Sequence, residues 1–167
     1  MEQNLQHAQE KGTPSNMNAS AAAPRVSVIM ANLNGAAHIA AAVRSVLRQT
    51  ETALELIVSD DGSTDDSLAR ARAAAAGDPR LKIVTTEQSR TGPAAARNRA
   101  LAAARGDWIA VVDNDDYIHP ERLERLVGAA EADGADIAPD HLLVFYDSIA
   151  KPPHGHLRGA LAARAHW

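Results

Sequence analysis

The chain contains no cysteine, so neither a disulfide framework nor a thiolate metal site is available to it. Aromatic residues make up only 3% of its 167 residues although 46% are hydrophobic, alanine prominent among them. The interior is therefore expected to be aliphatic strands covered by small-residue helices. Apolar runs never exceed a few residues, far below the roughly 20 needed to span a bilayer. The first residues carry no apolar core of the kind a signal peptide has. The basic excess of a nucleic-acid protein is also missing, since the net charge is -4 with both signs interspersed. No GxGxxG, no GxxxxGK[ST] and no GxSxG occurs, which removes the usual dinucleotide, P-loop and hydrolase-elbow signals. What remains is a chain of one-domain length with ordinary globular composition, read most simply as cytoplasmic.

Residues 1–24 lack hydrophobic periodicity and are expected to form a disordered leader. From residue 25 to about 150 the texture is that of one α/β domain. Residues 26–31 are almost continuously apolar, as a strand buried on both faces should be. Asn32, Asn34 and Gly35 end that run, and Ile39, Val43, Val46 and Leu47 then fall on one helical stripe. The alternation repeats, with strands expected over 54–59, 81–85 and 107–112 and helices over 65–76 and 93–104. A further helix has Pro120 at its first position and Leu123, Leu126, Val127 and Ala130 on its inner face. Weaker strand patterns occur at 136–138 and 142–146, and 151–167 reads as an irregular tail. Such a succession predicts a mostly parallel sheet with helices on both faces, whose ligands bind beyond the carboxyl ends of the strands. The polar residues gather at those ends.

Asp113-Asn114-Asp115-Asp116 follows the fourth strand. Carboxylates two positions apart where the backbone leaves a sheet can share a cleft and hold Mg²⁺ or Mn²⁺ through hard oxygen ligands. A polar turn gives the same letters, because Asp and Asn favour turns for local reasons. In Asp60-Asp61-Gly62-Ser63-Thr64-Asp65, Gly62 makes a turn, Ser63 or Thr64 is expected to cap the next helix, and Asp65 and Asp66 suit its positive end. Two carboxylates at the strand end itself are left over, and Asp61 is placed to accept from a base or ribose. Gly92 to Arg99 opens a helix with small residues and puts Arg97 and Arg99 on its second turn. That arrangement suits a phosphate, or else the arginines lie on a solvated face. His154 and His156 lack carboxylates at useful spacing and carry little metal signal.

In this order the motifs resemble those of family 2 glycosyltransferases. The residues concerned are Val26-Ser27-Val28-Ile29-Met30 with Asn34, and Ser45-Val46-Leu47-Arg48-Gln49-Thr50. They continue with Leu56-Ile57-Val58-Ser59-Asp60-Asp61-Gly62-Ser63-Thr64-Asp65, Gly92-Pro93-Ala94-Ala95-Ala96-Arg97-Asn98, and Gly106-Asp107-Trp108-Ile109 through Asp116. The likeness runs from about residue 24 to 133, and the stretch to Tyr146 further resembles bacterial exopolysaccharide transferases of the succinoglycan type. It departs from the family at Ala31-Asn32, where Pro-Thr is frequent.

The resemblance implies a GT-A, Rossmann-like fold and a nucleotide-diphosphate sugar donor, a UDP-sugar foremost. By the same likeness the loop from Ala31 to Asn34, with Asn32, borders the base, Asp61 contacts the nucleoside and Asp113 the ribose or sugar side, and Asp60 and Asn114 count with them among the donor-binding residues. Asp115, with Asp113, would ligate Mg²⁺ or Mn²⁺, and Arg97 would approach the phosphates. The reaction implied is inverting transfer to a hydroxyl of a saccharide or lipid-linked saccharide, with peripheral contact at the inner membrane. The family's catalytic base lies in an acidic motif well downstream, and none is found here: no Glu follows Glu131, and Asp140 and Asp147 stand in no matching context. The acceptor half is therefore expected to be incomplete and the chain truncated. Two further functions stay open, a donor-binding fragment without transfer and a phospho-acceptor signalling domain. The second is opposed by the position of the acidic pair after strand two and by the placement of the three lysines, Lys11, Lys82 and Lys151.

Overall fold

The structure is a computed structural model that describes residues 23–88 and 90–140, together with the backbone of 143–144 and 154–155. The leader at 1–22, most of the 151–167 tail, Asp147 and the side chains of His154 and His156 lie outside the described residues.

Four parallel strands form the sheet: β1 (Val26–Asn32), β2 (Leu54–Asp60), β3 (Leu81–Val84) and β4 (Trp108–Val111), in the order β3-β2-β1-β4. Parallel neighbours need long crossovers, here supplied by helices α1 (Ile39–Leu47), α2 (Ser67–Ala75) and α3 (Pro93–Ala102). Helix α4 (Arg122–Asp133) follows β4, and a two-residue antiparallel pair, β5 (Leu143–Val144) and β6 (His154–Gly155), stands apart from the main sheet. This is the α/β architecture that the alternation of apolar runs and helical stripes calls for.

Period-two alternation assigns the two faces of the sheet. On one face Val26, Val28, Met30, Leu54, Leu56 and Val58 pack against Ile39, Val43 and Val46 of α1, Ala71 and Ala75 of α2, and Leu123 and Val127 of α4. On the other face Ile29 and Ile57 meet Ala100 of α3. Alanine on α3 lets that helix lie close to β1 and β2, and alanine on α2 lets it lie against α1.

Several expected boundaries move. Helix α4 begins at Arg122, so Pro120 lies in the turn before it. The start of α4 is satisfied from a distance: the Leu123 N–H donates to Gln49 Oε1 at 3.0 Å, and Gln49 Nε2 donates to the His119 carbonyl at 2.7 Å. Helix α2 begins at Ser67, and the carboxylate that accepts from the Ser67 N–H belongs to Asp65 at 3.0 Å. Ser63 and Thr64 are therefore not the cap; both are tied instead to Asn34 and its loop. Residues 136–138 form no strand, and Ile137 is exposed.

Candidate functional site at the carboxyl ends of the strands

The register brings the sequence motifs to one edge. Asn32 pairs with Asp60, and Ile29 pairs with Val111, so continuing past β4 sets Asn114 beside Asn32. The two side chains meet there: Asn114 Nδ2 donates to Asn32 Oδ1 at 2.7 Å. Asn32 is 2% exposed, and its amide nitrogen faces Asp60 Oδ1 at 2.8 Å and the hydroxyls of Ser63 and Ser67 at 3.0 Å each. A Cβ at Gly35 would overlap both Asn114 Nδ2 and Asn32 Oδ1. Glycine at 35 is thus what allows the β1 loop to close over this amide pair.

A cleft of about 280 Å³ opens above these residues. It is lined by Ala31, Asn32 and Leu33 from the end of β1, Asp61 after β2, Gly92, Pro93, Ala96 and Arg97 from the start of α3, and Asp113, Asn114 and Asp115 after β4. Six of the eight residues singled out in the sequence line it. Asp60 and Asn34 do not. Asp60 accepts from Asn32, from the Ser63 hydroxyl at 2.5 Å, and from the Gly62 and Ser63 N–H groups at 3.2 and 2.9 Å, so its carboxylate organises the turn. Asn34 adopts a left-handed backbone, φ 52°, and its side-chain oxygen accepts from the Thr64 N–H at 2.8 Å.

Asp61 is only 2% exposed, yet it reaches the cleft wall. The Thr91 hydroxyl donates to Oδ1, Arg99 reaches the same oxygen at 2.8 Å, and the Gly92 N–H donates to Oδ2 at 2.8 Å. The Thr91 hydrogen bond leads in holding this carboxyl at about 2; burial works the other way, and the Gly92 N–H and the Arg99 cation complete the effect. Oδ2 keeps one acceptor position, enough for an N–H of a bound ligand.

Both arginines of α3 pair with strand-end carboxylates, although Arg97 stays partly open to solvent. Arg99 turns to Asp61, and Arg97 crosses to Asp113 Oδ1 at 2.5 Å. Sequence spacing alone could not decide this, because only the register of β4 tells which carboxylate lies opposite which helical turn. Asp115 is exposed and has no hydrogen-bond or ion-pair partner among the described residues. Loss of hydration, and next the charges of Asp115 and Asp113, push the Asp116 carboxyl above its ordinary value, against the opposing Arg122. Burial leads in that rise, and the mutual repulsion of the three carboxylates adds to it. Oxygen donors of this kind suit Mg²⁺ or Mn²⁺, with Asp113 and Asp115 as the residues that would hold the ion. Among the described residues no group of three or more His, Asp or Glu side chains converges as a ready-made cage. The remaining positions would fall to water and phosphate oxygens, as is usual for Mg²⁺.

One polar cluster had not been singled out. Glu55, 2% exposed on β2, lies at the other end of the sheet. The Ser27 hydroxyl donates to it at 2.7 Å, Lys82 Nζ at 2.5 Å and the Arg105 N–H at 2.8 Å. Burial alone would raise this carboxyl, but the Lys82, Ser27 and Arg105 hydrogen bonds prevail and hold it at about 2. The signal was present in the sequence: an acidic residue inside a strand buried on both faces must have partners.

The sequence matches the profile of glycosyl transferase family 2 over residues 27–164. Among curated proteins, it is 44% identical over 138 residues to the succinoglycan biosynthesis protein ExoU of Rhizobium meliloti, covering 82% of this chain and 39% of that one. It is 43% identical over 119 residues to ExoO of the same organism, covering 71% and 33%. The chain thus spans between a third and two fifths of the length of these relatives. Among solved structures, it resembles S. aureus TarS in complex with UDP, with a TM-score of 0.60 and 32% identity over 65% of this chain and 32% of that one. The mannosyltransferase PcManGT from Pyrobaculum calidifontis, in complex with GDP-Man and Mn²⁺, gives 0.59 and 30% over 64% and 32%. The sheet described above is accordingly the Rossmann-like part of a GT-A fold, as the motif resemblance implied. Among the described residues, no helix is long and apolar enough to cross a membrane.

Proposed function

The chain belongs to glycosyl transferase family 2, and from that premise we propose that its cleft takes up a nucleotide-diphosphate sugar and delivers the sugar to an acceptor hydroxyl. The observation that carries this reading is the meeting, in one cleft, of Asp61 just after β2, Arg97 from α3, and Asp113 and Asp115 after β4. Asp61 Oδ2 is suited to an N–H of the base, and Asn32 to bordering it. Arg97 lines the same cleft and would meet the diphosphate, for which a planar guanidinium offers paired donors. Asp113 and Asp115 would hold Mg²⁺ or Mn²⁺, which when bound supplies positive charge to a departing diphosphate. The UDP bound by TarS and the GDP-Man and Mn²⁺ bound by PcManGT support this choice of ligands, with UDP-sugars foremost.

Transfer is proposed to be inverting: the acceptor oxygen forms the new glycosidic bond as the anomeric carbon–phosphate oxygen bond breaks, and a base removes the hydroxyl proton. The names of ExoO and ExoU, succinoglycan biosynthesis proteins, support a role in polysaccharide biosynthesis; a saccharide or lipid-linked saccharide as acceptor, and peripheral contact with the inner membrane, belong to the same proposal. A second reading, donor binding without transfer, is favoured by the state of the carboxylates. Asp140 is engaged by Arg122 at 2.6 and 3.1 Å, and Asp61 and Asp113 are each paired with an arginine.

Release of nucleoside diphosphate from UDP-glucose, UDP-GlcNAc and GDP-mannose, measured with Mn²⁺ and with and without saccharide acceptors, separates the two. Transfer predicts release that needs both metal and acceptor. Metal-dependent binding without release from any donor selects the donor-holding reading, and a folded chain that neither binds nor turns over any of them refutes both.

A further inference from the structure

Arg97, proposed above to approach the phosphates, pairs instead with Asp113, one of the two carboxylates proposed to hold the metal. Its guanidinium lies 2.5 Å from Asp113 Oδ1. No other cation pairs with Asp113 among the described residues, and Asp115, two residues on, has none. Its Nε is buried and has no hydrogen-bond acceptor, so the side chain is held from one end only and keeps an unmet donor. Both partners are partly open to solvent, with side-chain exposures of 36% and 47%, so the contact can break without unpacking the core.

We propose that Arg97 is a built-in counter-cation, which neutralises Asp113 until a divalent cation displaces it and the freed guanidinium turns to the diphosphate. This rests on the donor-site reading above and adds an order of events to it. A dication on Asp113 and Asp115 and a guanidinium on Asp113 compete for the same negative charge and repel each other. Binding of the metal alone therefore has to break the ion pair and is weakened by it. Binding of the metal with a nucleoside diphosphate is not weakened in the same way, because the phosphates give Arg97 a new bidentate partner and an acceptor for the orphaned Nε. The pair thus favours joint loading of metal and donor over capture of free metal. Lysine could hold Asp113 as a point charge but could not offer the paired donors of the second state.

The test is the Mn²⁺ affinity of the full chain, read by electron paramagnetic resonance without nucleotide, beside the affinity for UDP at saturating Mn²⁺. Arg97→Gln is expected to bind free Mn²⁺ roughly two- to fivefold more tightly than the parent, the range set by a partly exposed ion pair. The same variant is expected to bind UDP more weakly when Mn²⁺ saturates. In an Asp113→Asn background, the gain from Arg97→Gln should largely disappear. A free-Mn²⁺ affinity that is unchanged or lower in Arg97→Gln, with metal-dependent UDP binding intact in the parent, overturns the displacement. So does a gain that persists undiminished in Asp113→Asn. Failure of the parent itself to bind UDP with Mn²⁺ overturns instead the donor-site reading on which the proposal stands. Circular dichroism of each variant distinguishes these outcomes from loss of fold.

Discussion

Glu55→Gln removes one charge from the buried cluster at the far end of the sheet and leaves the shape of the side chain almost unchanged. A carboxyl held at about 2 against an ordinary 4.5 corresponds to roughly 3 kcal/mol of folded-state stability. Because the folded value is the depressed one, that stability is complete above about pH 4.5 and is lost as the pH falls toward 2. The amide oxygen of Gln can still accept from the Ser27 hydroxyl and the Arg105 N–H, but its other end presents N–H donors to the Lys82 ammonium. Lys82 has 37% of its side chain exposed and can turn to water. The expected cost at neutral pH is therefore about 1–3 kcal/mol, below that of stranding a fully buried charge. Urea unfolding should show it as a midpoint lower by about 1 M at pH 7, given a slope of roughly 2 kcal/mol/M. The difference should narrow as the pH is lowered through 4 to 3, because only the parent loses the carboxylate contribution. A variant with the parent's midpoint at pH 7, or with the same slope of stability against pH, would refute the role assigned to Glu55.

Two substitutions at the β1 loop test the amide pair that joins β1 to the acidic turn. Gly35→Ala places a Cβ into Asn114 Nδ2 and Asn32 Oδ1, so it is expected to lower stability by about 1–3 kcal/mol and to weaken Mn²⁺-dependent UDP binding, read by thermal unfolding and calorimetry. Asn114→Ala removes the hydrogen bond without the overlap, so the UDP affinity should fall while the unfolding midpoint moves by less than it does in Gly35→Ala.

Much of the fold was legible because β1 and β2 are buried along nearly their whole length, and such strands leave a largely apolar run in the sequence, interrupted here by Ser27 and Glu55. The stripe of Ile39, Val43 and Val46 was equally direct, since a helix packed on one face must repeat its apolar positions. Local signals failed where a distant group does the work. Pro120 suits the first turn of a helix, yet α4 starts two residues later, where Gln49 of the α1 terminus meets the Leu123 N–H. Ser63 and Thr64 are good cap residues, yet Asn32, Asn34 and Asp60 claim them, and Asp65 serves α2 instead. The candidate site was legible as a set of strand-end carboxylates, while its internal division was not. That Asp60 braces a turn while Asp61 faces the cleft depends on where the chain bends after β2, and that Arg97 finds Asp113 depends on the β4 register.

Calorimetric titration of UDP and GDP into the purified chain, with and without Mn²⁺ and repeated on Asp115→Ala, tests the donor site most directly. Asp115 has no structural partner among the described residues, so its loss should leave the fold intact and isolate the site. The account predicts nucleotide binding that requires Mn²⁺ in the parent and is lost in Asp115→Ala. Metal-independent binding, or binding that survives this substitution unchanged, would contradict it.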